Sequence, residues 1–208
     1  AVAVGWIEGI AEATASITTL FSGAFSDWIG RRKPLALAGY GLAALSKPIF
    51  PLAPTLSWVI AARFVDRVGK GIRGAPRDAL IAELAPGELR GASFGLRQAL
   101  DTVGAFAGPL LAVACMALLH DDFRAVFWIA VAPAFVAVAL LALGVSEPDS
   151  TRAVAARRSP LELASLRRLG VPYLRVLGIT ALLALARFGE AFLILRAGSV
   201  GLRATLGP

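Results

Sequence analysis

One segment limits what this chain can fold into more than any other: residues 125–145 contain no charged side chain. As an α-helix rising about 1.5 Å per residue, such a segment crosses the roughly 30 Å hydrocarbon layer of a bilayer. The whole chain is 57% hydrophobic and 17% charged, with a mean hydropathy of +0.72. That is more apolar surface than a soluble domain of 208 residues can bury. We therefore predict an all-α, polytopic membrane helix bundle.

Six apolar segments, bounded by glycine, proline or charged residues, are predicted to cross the membrane. They are residues 1–26, 35–52, 56–83, 94–119, 125–145 and 176–195. The chain has no Met at position 1, and its first residues are already hydrophobic without the basic leader of a signal peptide. We expect it to be an internal fragment of a longer protein.

Basic residues indicate the orientation of these spans. They follow the first, third and fifth spans: Arg31, Arg32 and Lys33, then Arg90, then Arg152, Arg157, Arg158, Arg167, Arg168 and Arg175. Cytoplasmic loops of membrane proteins carry such an excess of Lys and Arg. The loops after Ser26, Glu83 and Val145 are therefore predicted to be cytoplasmic, in a multi-pass protein of the cell membrane.

The composition argues against several other functions. The net charge of +7 is not gathered on a polar domain with stacking aromatics, so we predict no nucleic-acid partner. Cys115 is the single cysteine and lies in an apolar run, which excludes a disulfide within the chain. The single histidine, His120, is a weak candidate for catalysis or metal binding. We predict no enzyme activity, no cofactor and no metal.

The third span carries charges that a lipid-facing helix should not have. They are Arg63, Asp66, Arg67, Lys70, Arg73, Arg77 and Asp78. At roughly 3 kcal/mol for each central charge, exposing them to lipid would cost about 20 kcal/mol. On a helix they fall within an arc of roughly 140°, so this arc is predicted to face protein or a water-filled cavity.

Other spans supply charges that can balance this arc. Glu8 and Glu12 lie one turn apart in the first span, Arg97 and Asp101 in the fourth, and Arg187 and Glu190 in the sixth. Counted together, these groups leave the arc with a charge of only about +1. Two roles stay open for the two glutamates: structural salt bridges to the charged arc, or transport of a proton. A site for an anionic substrate also stays open, because Arg binds phosphates and carboxylates with two hydrogen bonds.

Three motifs resemble the major facilitator superfamily of transporters. Gly23, Asp27, Gly30, Arg31 and Arg32 fit the pattern Gly-x-x-x-Asp-x-x-Gly-Arg-Arg of the loop between that family's second and third helices, although Trp28 replaces its usual Arg. Arg63, between Ala62 and Phe64, takes the position of the signature Arg of the family's fourth helix. Gly95, Gly104, Gly108 and Pro109 resemble the fifth-helix motif of its antiporters, without the Gly that usually follows.

The resemblance implies that the six spans correspond to helices two to seven of twelve. Residues 1–145 would be an N-terminal bundle lacking its first helix, residues 146–175 a cytoplasmic central loop, and residues 176–208 the first helix of the second bundle. The drug/proton-antiporter-like branch implies proton-coupled export of a small molecule by alternating access, in a protein that is monomeric when full length. An organic-anion or phosphorylated-solute carrier is an alternative, and a channel or non-transporting receptor is another.

The resemblance also assigns roles to particular residues. Asp27 and Arg31 are expected to gate the movement at the cytoplasmic face, while Arg63 with Asp66, Glu8 or Glu12 forms the coupling network. Arg67, Lys70 and Arg73, with the Arg97–Asp101 and Arg187–Glu190 pairs, are further candidates for the substrate cavity. The glycine series of the fourth span is expected to allow a close helix contact.

Overall fold

The structure is a computed structural model that describes residues 2–147 and 170–185. The described residues form helices and contain no β-strand, which confirms the all-α prediction. The helices are α1 (Val2–Ile29), α2 (Lys33–Ser46), α3 (Ile49–Leu52), α4 (Leu56–Leu84), α5 (Arg90–Leu118), α6 (Phe123–Gly144) and α7 (Val171–Leu185), with a 3₁₀ turn at Gly87–Leu89.

The chain divides into two compact units, Ala11–Arg157 and a unit of Ala1–Ile10 with Arg158–Pro208. The first unit contains most of α1 and all of α2 to α6, and the second contains α7. Helix α7 begins at Val171, before the predicted start at residue 176, because Pro172 is tolerated in the first helical turn. The predicted three-part domain division stays a prediction.

Three segments of the described part of the chain are long and apolar enough to cross a membrane: Lys33–Leu52, Gly87–Leu118 and Phe123–Gly144. Charged and hydroxyl side chains lower the mean hydropathy of α1 and α4, so these two helices are not among them. The described part of α7 is shorter. No residue of α6 is buried, and large apolar side chains such as Leu143, 89% exposed, point outward. Such surfaces are satisfied by lipid and would be costly in water.

Small side chains allow α1, α2 and α4 to pack closely. The buried apolar residues of these helices are mostly alanines: Ala11, Ala15, Ala36, Ala43, Ala44 and Ala62. A Cβ added to Gly39 of α2 would lie 2.6 Å from the backbone nitrogen of Arg73 in α4. A Cβ added to Gly71 would lie 2.5 Å from the Cβ of Thr18 in α1. Small residues bring membrane helices together in this way because van der Waals contact replaces the hydrophobic effect in lipid.

The second span contains a short interruption. Residues 47 and 48 separate α2 from α3, because Pro48 has no amide hydrogen to continue the helical ladder. The amide of Phe50 then donates to the carbonyl of Lys47 at 3.2 Å, and α3 begins. The predicted span of residues 35–52 is thus two helical pieces.

Candidate functional site

The predicted loop motif forms a compact turn between α1 and α2. Helix α1 continues past Ser26 to Ile29 and ends at Gly30, whose φ of 71° is in the left-handed region that favours glycine. The amide of Gly30 donates to the carbonyl of Ser26 at 2.9 Å. A Cβ added to Gly23 would lie 3.1 Å from the Cβ of Ala75, so this glycine allows α1 to approach α4.

A charge cluster joins this turn to the end of α4. The guanidinium of Arg32 lies 3.3 Å from the carboxylate of Asp27 and 3.1 Å from that of Glu83. Arg31 is exposed and makes no ion pair with any described residue. The partner of Asp27 is therefore Arg32, while the expected gating role of Arg31 has no contact in the described structure to support it.

Glu147 connects the same turn to the end of α6. Its two carboxylate oxygens accept from the backbone amides of Arg32 at 2.7 Å and Lys33 at 3.0 Å, where α2 begins. The ammonium of Lys33 donates to the carbonyl of Ala142 at 2.7 Å. The first amides of a helix have no partner within it, and a carboxylate there also complements the helix dipole. Glu147 is not among the residues predicted from the sequence, because no local pattern indicates a partner more than 100 residues away.

We expect Glu147→Gln to loosen the start of α2. The variant loses the negative charge and one of the two acceptors, a change worth about 1 kcal/mol at a helix start. Amide hydrogen exchange at residues 32–33 should then be about fivefold faster. The matched control is Asp122→Asn, because Asp122 accepts from the amides of Arg124 and Ala125 where α6 begins. It should change exchange only there, and unchanged exchange at residues 32–33 in Glu147→Gln would contradict the assignment.

Glu12 joins α1 to the charged arc of α4. Its carboxylate lies 2.7 Å from the guanidinium of Arg67 and 3.7 Å from the ammonium of Lys70. The side chain of Glu8 lies outside the described residues, and so do Arg187 and Glu190. Of the two glutamates, Glu12 is thus the one with a described ionic contact to α4.

Asp66 of α4 pairs with the end of α2, not with α1, the helix that carries Glu12. Its carboxylate accepts from the ammonium of Lys47 at 2.9 Å, which joins α4 to the end of α2. Arg63 is half-buried one turn away on α4. In the sequence, Lys47 is a single charge in an apolar stretch between Lys33 and Arg63, and only the fold brings it to Asp66.

Charged residues of α5 contact the last residues of the charged arc of α4. Arg97 lies 3.4 Å from the carboxylate of Asp101, one turn further along α5, and 3.4 Å from that of Asp78 in α4. Asp78 also accepts from Arg77 at 3.1 Å. The expected Arg97–Asp101 contact is present, and Asp78 extends it to a second helix.

A cavity of about 530 Å³ lies between α1, α4 and α5. Its charged lining is Glu12, Lys70, Arg73, Arg77 and Asp101, and its other lining residues are Ala15, Ser16, Thr19, Gly74 and Ala105. The volume is in the range of small-molecule sites. Three residues of the charged arc, Lys70, Arg73 and Arg77, therefore face this cavity in the described structure.

The glycine series of α5 lies away from the close helix contacts of the described structure. A Cβ added to Gly95, Gly104 or Gly108 would meet no other described atom within 4 Å, and Pro109 lies inside the continuous α5. The close contacts of this bundle are at Gly39, Gly69 and Gly71 instead. The packing role of the α5 glycines stays a prediction.

Comparison with known proteins identifies the family. The sequence model of the Major Facilitator Superfamily matches residues 1–203. The chain belongs to this superfamily. Superfamily proteins are transporters rather than enzymes, and the apolar helices are those of a membrane-embedded protein.

Relatives within the superfamily have varied names. An uncharacterised MFS-type transporter of Methanocaldococcus jannaschii is 32% identical over 93% of this chain and 47% of its own length. The class C tetracycline resistance protein of Escherichia coli is 38% identical over 50% of this chain and 26% of its own length. A multidrug resistance protein of Photorhabdus laumondii is 32% identical over 62% of this chain and 31% of its own length. The chain thus spans about half, or less, of the length of these relatives.

Proposed function

We propose that the protein is a secondary active transporter that exports a small molecule across the cell membrane, driven by a proton gradient. The observation that carries this proposal is the cavity between α1, α4 and α5, which is lined by ionisable side chains inside a membrane bundle. Ionisable groups are costly in a membrane and typically mark substrate or proton pathways. In transporters built from two bundles, such a site lies near the bilayer midplane and opens to each side in turn.

Glu12 is the proposed proton carrier. As a carboxylate it is held by Arg67 at 2.7 Å, and its side chain is half-exposed at the cavity wall. Protonation would remove the attraction to Arg67 and Lys70, so α1 and α4 could separate at this level. The proton therefore has a direct way to change how two cavity helices pack.

The cluster of Asp27, Arg32, Glu83 and Glu147 is the proposed cytoplasmic gate. It joins the ends of α1, α4 and α6 to the start of α2 through contacts of 2.7 to 3.3 Å. The positive-inside rule supports the cytoplasmic assignment, because Arg31, Arg32 and Lys33 are adjacent in this loop. Breaking and reforming these contacts would accompany inward opening.

The direction of transport is supported by two relatives whose names refer to tetracycline resistance and multidrug resistance. The glycine series of α5, which resembles an antiporter motif, supports the same direction. We propose that the complete protein acts as a monomer, since one pair of bundles encloses one site.

The test uses the full-length protein in proteoliposomes with an imposed proton gradient. Tetracycline, the cation ethidium and the anion carboxyfluorescein serve as probes. We expect at least one probe to accumulate against its own gradient, and Glu12→Gln to reduce that accumulation about tenfold, since it can no longer exchange a proton. Glu88→Gln is the matched control, because Glu88 is exposed on the 3₁₀ turn outside the cavity.

Two results would contradict the proposal. A probe that only moves down its own gradient, with no response to the proton gradient, would indicate a channel. Full proton-driven accumulation by Glu12→Gln would remove Glu12 as the carrier while leaving the transporter assignment in place.

A further inference from the structure

We infer that the cavity binds an organic anion, a solute with a carboxylate, sulfonate or phosphate group, and that Arg73 holds the anionic group. This inference rests on the proposed function, because it assumes that the cavity between α1, α4 and α5 is the transport site. It names the class of substrate, which the proposed function leaves open.

The first support is the set of ion pairs around the cavity. Glu12 is engaged by Arg67 and Lys70, Asp101 by Arg97, and Asp78 by both Arg77 and Arg97. Among the side chains that the structure describes, which do not include that of Glu8, Arg73 is the charged lining residue that has no oppositely charged group within 4.0 Å. A guanidinium inside a membrane bundle without a carboxylate partner is a site for an anion.

The second support is the net charge of the cavity lining. Its cations are Lys70, Arg73 and Arg77 and its anions are Glu12 and Asp101, which leaves three minus two, or +1. Asp66 does not reduce this charge, because Lys47 of α2 neutralises it at 2.9 Å. A cavity of this sign attracts anions and repels cations, most strongly where water is excluded.

The third support is the geometry of Arg73. Its guanidinium lies over the ring of Tyr40, 4.7 Å from the ring centre, in a cation–π contact. A cation–π contact uses no N–H hydrogen bond to an acceptor side chain, so the N–H groups of the guanidinium are left for a ligand. The backbone of Arg73 is held in place by the close approach of Gly39. The cation is therefore oriented before any ligand binds.

The experiment measures binding to the purified full-length protein by the rise in its melting temperature. Four probes share one ring system: 2-naphthoate, 2-naphthyl phosphate, 2-naphthylmethanol and 2-naphthylmethylamine. We expect the two anions to bind about tenfold more tightly than the alcohol, and the amine to bind no better than the alcohol. Arg73→Gln should lose about tenfold in affinity for the anions and nothing for the alcohol.

Two further variants separate ligand contact from structural damage. Arg73→Lys keeps the charge but not the fork of N–H groups, so it should retain part of the affinity for the anions. Arg124→Gln is the matched control, because Arg124 is exposed at the start of α6, and it should bind like wild type. If Arg73→Gln does not fold, the relative affinities of the wild-type protein for the four probes still test the inference.

Tighter binding of the amine or alcohol than of the anions would overturn the inference, and so would unchanged anion affinity in Arg73→Gln. These outcomes are distinct from failure of the proposed function. Anions that bind through Arg73 but are never driven by a proton gradient would leave this inference standing and remove the transporter proposal. Proton-driven transport of a cation alone would support the transporter proposal and overturn this inference.

Discussion

Gly39→Ala is expected to lower the melting temperature of the purified protein by about 5 °C or more. The added methyl group would lie 2.6 Å from the backbone nitrogen of Arg73 and 2.8 Å from the carbonyl oxygen of Gly69. These are backbone atoms, so no side-chain rotation can relieve the clash, and α2 must move away from α4. Overpacking of this kind typically costs about 1–3 kcal/mol.

The matched control for this prediction is Gly41→Ala, in the same helix. A Cβ at Gly41 would meet no other described atom within 4 Å, and alanine is the better helix former by about 0.5–1 kcal/mol. Gly41→Ala should therefore melt at the wild-type temperature or slightly above it. Equal melting temperatures for the two variants would show that α2 and α4 are not in close contact at Gly39.

Arg32→Gln is expected to slow transport by the full-length protein about 2-fold to 30-fold. Arg32 is the one described residue that pairs with both Asp27 and Glu83, at 3.3 and 3.1 Å. Removing it takes away two ion pairs that join α4 to the end of α1. The carboxylates of Asp27 and Glu83 are 49% and 35% exposed, so each pair is worth about 0.2–1 kcal/mol. Their sum, about 0.4–2 kcal/mol, moves the balance between inward-open and outward-open states by about 2-fold to 30-fold.

Arg31→Gln provides the control, since it removes the same charge from the neighbouring position. Arg31 is exposed and has no ion pair among the described residues, so we expect near-wild-type transport. The measurement is the initial rate of proton-driven uptake in proteoliposomes, with equal amounts of inserted protein confirmed for each variant. A larger loss for Arg31→Gln than for Arg32→Gln would restore Arg31 as the gating cation.

The helical class could be predicted because hydropathy identifies membrane spans from the local sequence, and the family could be predicted from the resemblance of three motifs. In lipid, a backbone must satisfy its own hydrogen bonds, so an uncharged stretch such as residues 125–145 has few structures open to it. The turn motif is equally local, since Gly30 must adopt a φ of 71° and only glycine does so without strain. Helix ends were less predictable: α1 runs to Ile29, and α7 starts at Val171.

The partners of the charged residues could not be predicted in the same way. The sequence showed that the arc on α4 needs neutralisation, and it suggested Glu12, which the structure places 2.7 Å from Arg67. It did not suggest that Lys47 neutralises Asp66, or that Glu147 accepts from the amides that begin α2. These contacts depend on which helices are neighbours, and helical periodicity carries no information about that.

The sequence by itself therefore determined that this is a helical membrane protein with a charged face on α4 that must be shielded from lipid. Hydropathy suffices for this, because the bilayer admits so few backbone structures, whereas the family was indicated by the resemblance of three motifs. Only the tertiary structure decided which charged side chains form ion pairs with each other. The close approach of α2 to α4 at Gly39 brings Tyr40 to Arg73 and leaves that guanidinium facing the cavity, because van der Waals contact between small residues sets how near two membrane helices can come.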